Sequence, residues 1–116
     1  MKALLLITHG SRSPQSRDEV IALAAVLKER SQVKIVEYCF LDVDRPNIPE
    51  GIETCVAKGA THITILLNFL NSGNHVLLDV PGLVKEAQEK YPKLTFKITA
   101  PIGQHPQIPD LFLDLI

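Results

Sequence analysis

The chain has 116 residues, of which 46% are hydrophobic and 22% charged, and its formal net charge is -1. This composition predicts one soluble globular domain over residues 1–116 and excludes a disordered or fibrous chain. The charge supplies no basic stripe for a phosphate backbone, so we expect no nucleic-acid partner. The apolar runs are strand-sized, well below the roughly 20 residues of a membrane span, and the first lacks the cleavage site of a secretory signal. We therefore expect no membrane segment and a cytoplasmic location.

Strand-like and helix-like segments alternate along the chain, with short connections. This order predicts an α/β fold, namely a three-layer α/β/α arrangement around a four-stranded parallel sheet. The predicted strands are apolar or β-branched and comprise Ala3 to Ile7, Val33 to Phe40, Thr61 to Leu67 and Leu94 to Thr99. The first is uniformly apolar, as expected for a strand with helices on both faces.

Helices are predicted between the strands from apolar residues at three- and four-residue spacing. The first runs from about Ser13 to Arg30, the second ends at Gly59, the third begins near Asp79, and the chain looks helical again from Pro106. The core-facing sets are Val20, Leu23, Ala24 and Leu27, then Ile48, Ile52, Cys55 and Val56, then Leu83, Val84 and Ala87. We interpret Cys39 and Cys55 as reduced core thiols, with a metal or redox role as the alternative.

Two histidines, His9 and His75, each follow an apolar run that resembles a buried parallel strand. The carboxyl ends of parallel strands share one edge of a sheet, and the ligand crevice of doubly wound folds commonly lies between strands one and three. The two imidazoles are therefore predicted to converge as a metal site or a catalytic pair. Imidazole suits iron, cobalt, nickel and zinc, and two ligands alone leave most of the coordination sphere open. Such a site favours metal transfer over storage.

Other polar residues follow the strands on the same edge. Asp42 ends the second strand and is a candidate third ligand or general base, with a position one strand away from the histidines as the alternative. Arg12 and Arg45 suit an anionic substrate, although surface positions in contact with solvent explain them equally well. His105 follows the fourth strand and is either a substrate contact or an ordinary loop histidine. His62 begins its strand, so it lies on the opposite edge and is expected to be structural.

Three glycines, Gly10, Gly73 and Gly103, stand just past strands. A glycine at such a position permits a close approach between the backbone and a ligand, but turns alone would also explain all three.

Five motifs in chain order resemble one known family. They are Leu4 to Arg12 with its His-Gly-Ser-Arg, Phe40-Leu41-Asp42, Gly59 to Ile63, Phe69 to Pro81, and Pro101-Ile102-Gly103. On these motifs the chain resembles the class II tetrapyrrole chelatases, in particular the short CbiX-type and SirB-type sirohydrochlorin chelatases, over nearly its whole length. The resemblance implies a single chelatase-like lobe.

The resemblance also implies an activity, the insertion of a divalent metal into sirohydrochlorin or a related tetrapyrrole in cobalamin or sirohaem biosynthesis. Cobalt is the first candidate, with iron or nickel as alternatives; the metal is a substrate, and no organic cofactor is expected. In that family the two matching histidines hold the metal, so the metal-binding and catalytic role passes to His9 and His75. Asp42 stands where the family has glutamate and is one methylene shorter, which favours a base role over direct metal contact. The expected substrate-binding residues are Ser11, Arg12, Arg45, Gly73 and His105.

A tetrapyrrole is too broad for one small lobe, and short members of this family resemble one lobe that dimerises across the cleft. We therefore expect a homodimer. The alternatives are a non-catalytic carrier of metal or tetrapyrrole, or a lobe that depends on a partner. A histidine phosphatase would also have His-Gly after a strand, but it would have arginine immediately before the histidine, where this chain has Thr8.

Overall fold

The computed structural model describes residues 1–73 and 78–116, and these residues form an α/β fold with one parallel sheet. The predicted fold class is confirmed. The elements are β1 Lys2–Thr8, α1 Pro14–Ser31, β2 Ile35–Phe40, α2 Ile48–Ala57, β3 His62–Leu67, α3 Val80–Lys90, β4 Thr95–Ile98 and α4 Ile108–Leu113. A short 3₁₀ turn, Ile102–Gln104, lies between β4 and α4.

The described strands are arranged in the order β2-β1-β3-β4, so β1 lies in the middle of the sheet. It pairs with β2 from Ala3 opposite Ile35 to Thr8 opposite Phe40. On its other side it pairs with β3, from Lys2 opposite His62 onward. Because every pairing is parallel, the segments that follow the strands all leave from one edge.

Helices cover both faces of the sheet because successive strand residues point to opposite sides. On one face, α2 and α3 pack over buried strand residues that include Leu5, Ile7, Ile63 and Ile65. On the other face, α1 places Val20 and Ala24 against Leu6, Val36 and Phe40. This is the three-layer arrangement that the sequence predicts.

Leu23 differs from the prediction, because 40% of its surface is exposed. Helix α1 packs on the β1–β2 half of the sheet and leaves the β3 side of that face open. Leu23 therefore borders an apolar groove of about 290 Å³ that Leu66 and Ile102 also line.

The second strand begins at Ile35, two residues later than predicted. Gln32 adopts a left-handed conformation with φ 60° at the end of α1. The amide of Val33 then donates to the Ser31 hydroxyl at 3.2 Å. This local turn bond occupies the amide that the predicted strand would have used in the sheet.

The end of α2 at Gly59 agrees with the sequence prediction, and its start is fixed by a cap that the sequence analysis did not identify. Asn47 and Glu50 form a capping box, in which each side chain accepts a hydrogen bond from the other's backbone amide at 2.9 Å. At the other end Gly59 has φ +99° and donates its amide to the Val56 carbonyl at 2.9 Å. Cys39 and Cys55, between β2 and α2, are free thiols and buried.

No helix in residues 1–73 and 78–116 combines the length and the apolar composition that crossing a bilayer requires.

Candidate active site

The loops that follow β1 and β2 bring His9 and Asp42 together at the carboxyl edge of the sheet. The Leu41 amide donates to the Thr8 carbonyl at 2.8 Å, and the Asp42 amide donates to the His9 carbonyl at 2.9 Å. The strand pairing thus continues one step beyond each strand. Both residues are exposed. The sequence left the distance between Asp42 and the first strand open, and the structure joins the two loops directly.

Gly10 allows the two loops to approach this closely. Its φ is +106°, and a Cβ atom at this position would lie 1.9 Å from the Asp42 carbonyl oxygen. A side chain is excluded both by the backbone conformation and by the contact. The backbone conformation and the contact with Asp42 therefore both require glycine at this position of the His-Gly-Ser-Arg motif.

The His9 ring lies with Nδ1 3.4 Å from the Gly10 carbonyl oxygen, a long contact. Donation from Nδ1–H to this oxygen favours the tautomer whose lone pair is on Nε2. Metal-ligating histidines commonly use this arrangement, in which one nitrogen binds a carbonyl and the other faces the metal.

Residues 42–44 form a tight turn that orients the Asp42 carboxylate. Oδ1 of Asp42 accepts a hydrogen bond from the Val43 amide at 2.8 Å. The Asp44 amide donates to the Asp42 carbonyl at 2.7 Å. Val43 has φ +67°, a left-handed conformation that β-branched residues rarely adopt. The turn is therefore a strained element directly beside a candidate catalytic group.

Ser11 contacts the same turn through its backbone. Its amide donates to Oδ2 of Asp44 at 2.9 Å, and its hydroxyl accepts from the Ser13 amide at 3.1 Å. Arg12 is exposed in the loop before α1. The structure thus groups His9, Ser11 and Asp42, with Arg12 next to them in sequence.

Arg45 forms a salt bridge with Glu50. Its guanidinium donates to both carboxylate oxygens, at 3.2 and 2.5 Å, while 76% of the side chain is exposed. The hydrogen bonds from Arg45, followed by that from the Asn47 amide, hold the pKa of Glu50 below its ordinary value. The Arg17 guanidinium donates to the Arg45 carbonyl and fixes the backbone there. A substrate carboxylate at Arg45 would have to exchange with Glu50.

An open cleft of about 470 Å³ lies beside Asp42, towards the start of α3. It has an apolar part and an acidic part, and its lining comprises Leu41, Asp42, Leu78, Asp79, Gly82, Leu83 and Glu86. Sequence reasoning used Asp79 only as a helix start and missed Glu86. The sequence contained one indication of Glu86: it stands three residues after Leu83, so the two side chains share one face of the helix.

Gly73 and His105 belong to the part of the edge that follows β3 and β4. Here the Gly103 amide donates to the Phe69 carbonyl at 3.0 Å, which joins the 3₁₀ turn to the loop after β3. Gly73 is exposed, and a Cβ atom at its position would meet nothing within 4 Å. His105 is exposed, and its Nδ1 accepts from the Gln107 amide at 3.1 Å. This bond gives His105 a local role in the turn before α4.

Of the two remaining histidines, the structure describes only His62. His62 begins β3 on the opposite edge, and its Nδ1 lies 2.9 Å from the Thr61 hydroxyl. His75 lies outside the described residues, so its convergence with His9 stays a prediction based on the pairing of β1 with β3. In residues 1–73 and 78–116, no three His, Cys, Asp or Glu side chains converge to hold a metal.

Curated relatives match nearly the whole chain. A sirohydrochlorin cobaltochelatase of Priestia megaterium is 38% identical over 105 residues, which cover 90% of this chain and 34% of the relative. A sirohydrochlorin ferrochelatase of the same organism is 33% identical over 100% of this chain and 44% of its own length. The chain thus spans a third to a half of these relatives. A shorter relative, the sirohydrochlorin cobaltochelatase of Sulfolobus acidocaldarius, is 32% identical, with 96% of this chain and 86% of the relative covered.

Solved structures agree with the fold. The chain superposes with a TM-score of 0.89 and 29% identity on the sirohydrochlorin chelatase SirB from Bacillus subtilis subspecies spizizenii in complex with cobalt. The match covers 97% of this chain and 48% of that one. SirB from Bacillus subtilis with Fe³⁺ gives a TM-score of 0.84 at 27% identity, covering 97% of this chain and 45% of that one. The CbiX family model matches residues 3–116, and the chain therefore belongs to the CbiX family.

Proposed function

We propose that this chain inserts a divalent metal ion into sirohydrochlorin or a related tetrapyrrole, as a step of cobalamin or sirohaem biosynthesis. Cobalt is the first candidate metal, and iron and nickel are the alternatives. The observation that carries the proposal is the backbone hydrogen bond from Asp42 to His9, which puts the loops that carry an exposed imidazole and an exposed carboxylate side by side at the carboxyl edge of the sheet. Membership of the CbiX family supports it, since relatives are named sirohydrochlorin cobaltochelatase and ferrochelatase.

The reaction requires a metal ligand that is exchanged easily and an acceptor for the two pyrrole N–H protons that leave as the metal enters. We assign the metal to His9 and His75. Asp42 is the proposed base, because its carboxylate is exposed and one oxygen is oriented by the Val43 amide. The carboxylates of Asp42, Asp79 and Glu86 give the neighbouring cleft a negative potential that attracts a divalent cation.

The proposed substrate contacts serve the carboxylates around the macrocycle. Arg12 is exposed next to the loop that carries His9 and suits one of them. Arg45 suits another after exchange with Glu50. Ser11, Gly73 and His105 are proposed to contact the ring system from the same edge.

We also propose that the site is completed by a second copy of this chain. A second candidate is a lobe that depends on a different partner or on a further part of its own chain. This candidate is favoured by the coverage of the relatives, since the chain spans only 34% and 44% of the Priestia megaterium proteins.

The function is tested by anaerobic incubation of the purified protein with sirohydrochlorin and Co²⁺, Fe²⁺ or Ni²⁺, followed by absorbance. We expect insertion faster than the spontaneous rate with at least one metal. His9→Ala should abolish most of the acceleration, because it removes one of the two proposed metal ligands and leaves the proposed base Asp42 in place. His62→Ala, on the opposite edge, should leave the rate unchanged. A rate no faster than the spontaneous one with all three metals would contradict the proposal.

A further inference from the structure

We infer that Asp44 is a positioning residue of this site, an inference that rests on the proposed function. Its Oδ2 accepts a hydrogen bond from the Ser11 amide at 2.9 Å across 33 positions of sequence, in a partly buried contact. Ser11 lies two residues after His9, and Asp44 lies two residues after Asp42. The Asp44 carboxylate therefore joins the loop that carries the imidazole to the loop that carries the proposed base.

The turn that carries Asp42 requires such a link. Val43 has φ +67°, and residues of its type hold that conformation only where surrounding contacts enforce it. The Asp44 amide is bonded to the Asp42 carbonyl at 2.7 Å, so a shift of Asp44 is transmitted directly to Asp42. An ionised carboxylate that accepts from a backbone amide forms one of the stronger hydrogen bonds in proteins. Asp44 therefore contributes a main restraint on this turn.

Two further contacts join the same loops, the bond from the Asp42 amide to the His9 carbonyl and the packing of Gly10 on the Asp42 carbonyl. Both are backbone contacts that no side-chain substitution at position 44 removes. The loss of the Asp44 carboxylate should therefore loosen the site without separating the loops. We expect the effect in kcat, because metal transfer and proton transfer depend on the spacing of His9 and Asp42.

The test compares Asp44→Ala with Asp44→Asn and with Asp18→Ala, a change at an exposed acidic position on α1. Asparagine keeps an acceptor oxygen for the Ser11 amide, whereas alanine removes it. We expect Asp44→Ala to lower kcat about tenfold or more while KM for sirohydrochlorin changes less than about threefold. Asp44→Asn should stay within about threefold of the wild type, and Asp18→Ala should match it. Circular dichroism checks the fold of each variant, and Asp44→Leu, which is similar in size to Asp44→Asn and also lacks an acceptor oxygen, replaces Asp44→Ala if the latter does not fold.

The outcomes separate this inference from the function beneath it. An active wild type with unchanged kcat in Asp44→Ala overturns the positioning role alone. A raised KM with unchanged kcat also overturns it, because Asp44 would then bind the substrate. Equal losses in Asp44→Asn and Asp44→Ala overturn it as well, because the acceptor oxygen would be irrelevant. A wild type that does not accelerate insertion overturns the proposed function itself, and the inference with it.

Discussion

Gly10 combines a positive φ with a close contact at the position of its missing Cβ. Its φ of +106° is one that L side chains rarely adopt, and the Asp42 carbonyl occupies the place where its Cβ would lie. Gly59 has a similar φ of +99°, but nothing lies within 4 Å of its hypothetical Cβ. The two positions therefore separate the cost of the backbone conformation from the cost of the contact.

We predict that Gly10→Ala lowers the free energy of unfolding by about 2 to 4 kcal/mol, while Gly59→Ala lowers it by about 1 kcal/mol. The excess at position 10 arises because the new methyl group must push the Asp42 turn away from the His9 loop. Denaturant unfolding of both variants against the wild type measures the difference. Equal costs at the two positions would show that the contact with Asp42 contributes nothing.

Residue positions were predictable from sequence where they follow directly from strand ends. The sequence placed His9 and Asp42 at the carboxyl edge, whereas their proximity depends on β2 pairing with β1, which only the structure shows. Asp44 was not predictable, because its link to Ser11 depends on the positive φ of Val43, and no pattern in the sequence indicates a left-handed valine. The bond of His105 to the Gln107 amide likewise depends on a turn visible only in the backbone.

At the scale of elements, the alternation of strands and helices around a parallel sheet was predictable, and the strand order and the exact extent of helix coverage were not. A uniformly apolar first strand implies a central position, which β1 has. The exposure of Leu23 depends on which part of the sheet α1 covers, and helical periodicity alone does not contain that information.

The packing of α2 on β2 makes the stability of the fold depend on pH, because it buries the thiols of Cys39 and Cys55. Burial, and then the neighbouring Cys55, raises the pKa of Cys39. Burial, and then the charge of Glu37, raises the pKa of Cys55 to about 12. Above pH about 9 the unfolded chain loses these protons while the folded chain keeps them, so the unfolded state binds fewer protons. The stability must therefore fall as the pH rises from about 9.

We predict that the free energy of unfolding decreases above pH 9 by on the order of 1 kcal/mol per pH unit for each buried thiol. Urea unfolding at pH 8, 9, 10 and 11 under reducing conditions measures the slope. The matched control is the double variant Cys39→Ala, Cys55→Ala, whose slope should be shallower even though its stability at pH 8 is lower. Parallel slopes for the two proteins would contradict the assignment of the alkaline sensitivity to these thiols.

For the whole molecule, the described residues border open space on both faces of the sheet. The acidic cleft beside Asp42 is about 470 Å³ and open, and the apolar groove at Leu23 is about 290 Å³. A macrocycle bound only at the carboxyl edge of the sheet, where His9 and Asp42 lie, would keep one of its faces in water. A second lobe across the edge would enclose it and exclude water from the reacting atoms.

We predict that the chain forms a homodimer whose mass is near twice 12.8 kDa, and that the dimer is the active species. By mass action the specific activity in metal insertion should then rise with protein concentration and level off above the dissociation constant of the dimer. Sedimentation equilibrium over the same concentrations measures that constant independently, and the two curves should share a midpoint. The His62→Ala variant, which leaves the proposed site unchanged, should reproduce both curves. A monomeric mass together with a specific activity that does not depend on concentration would refute the dimer, because one lobe would then suffice for the reaction.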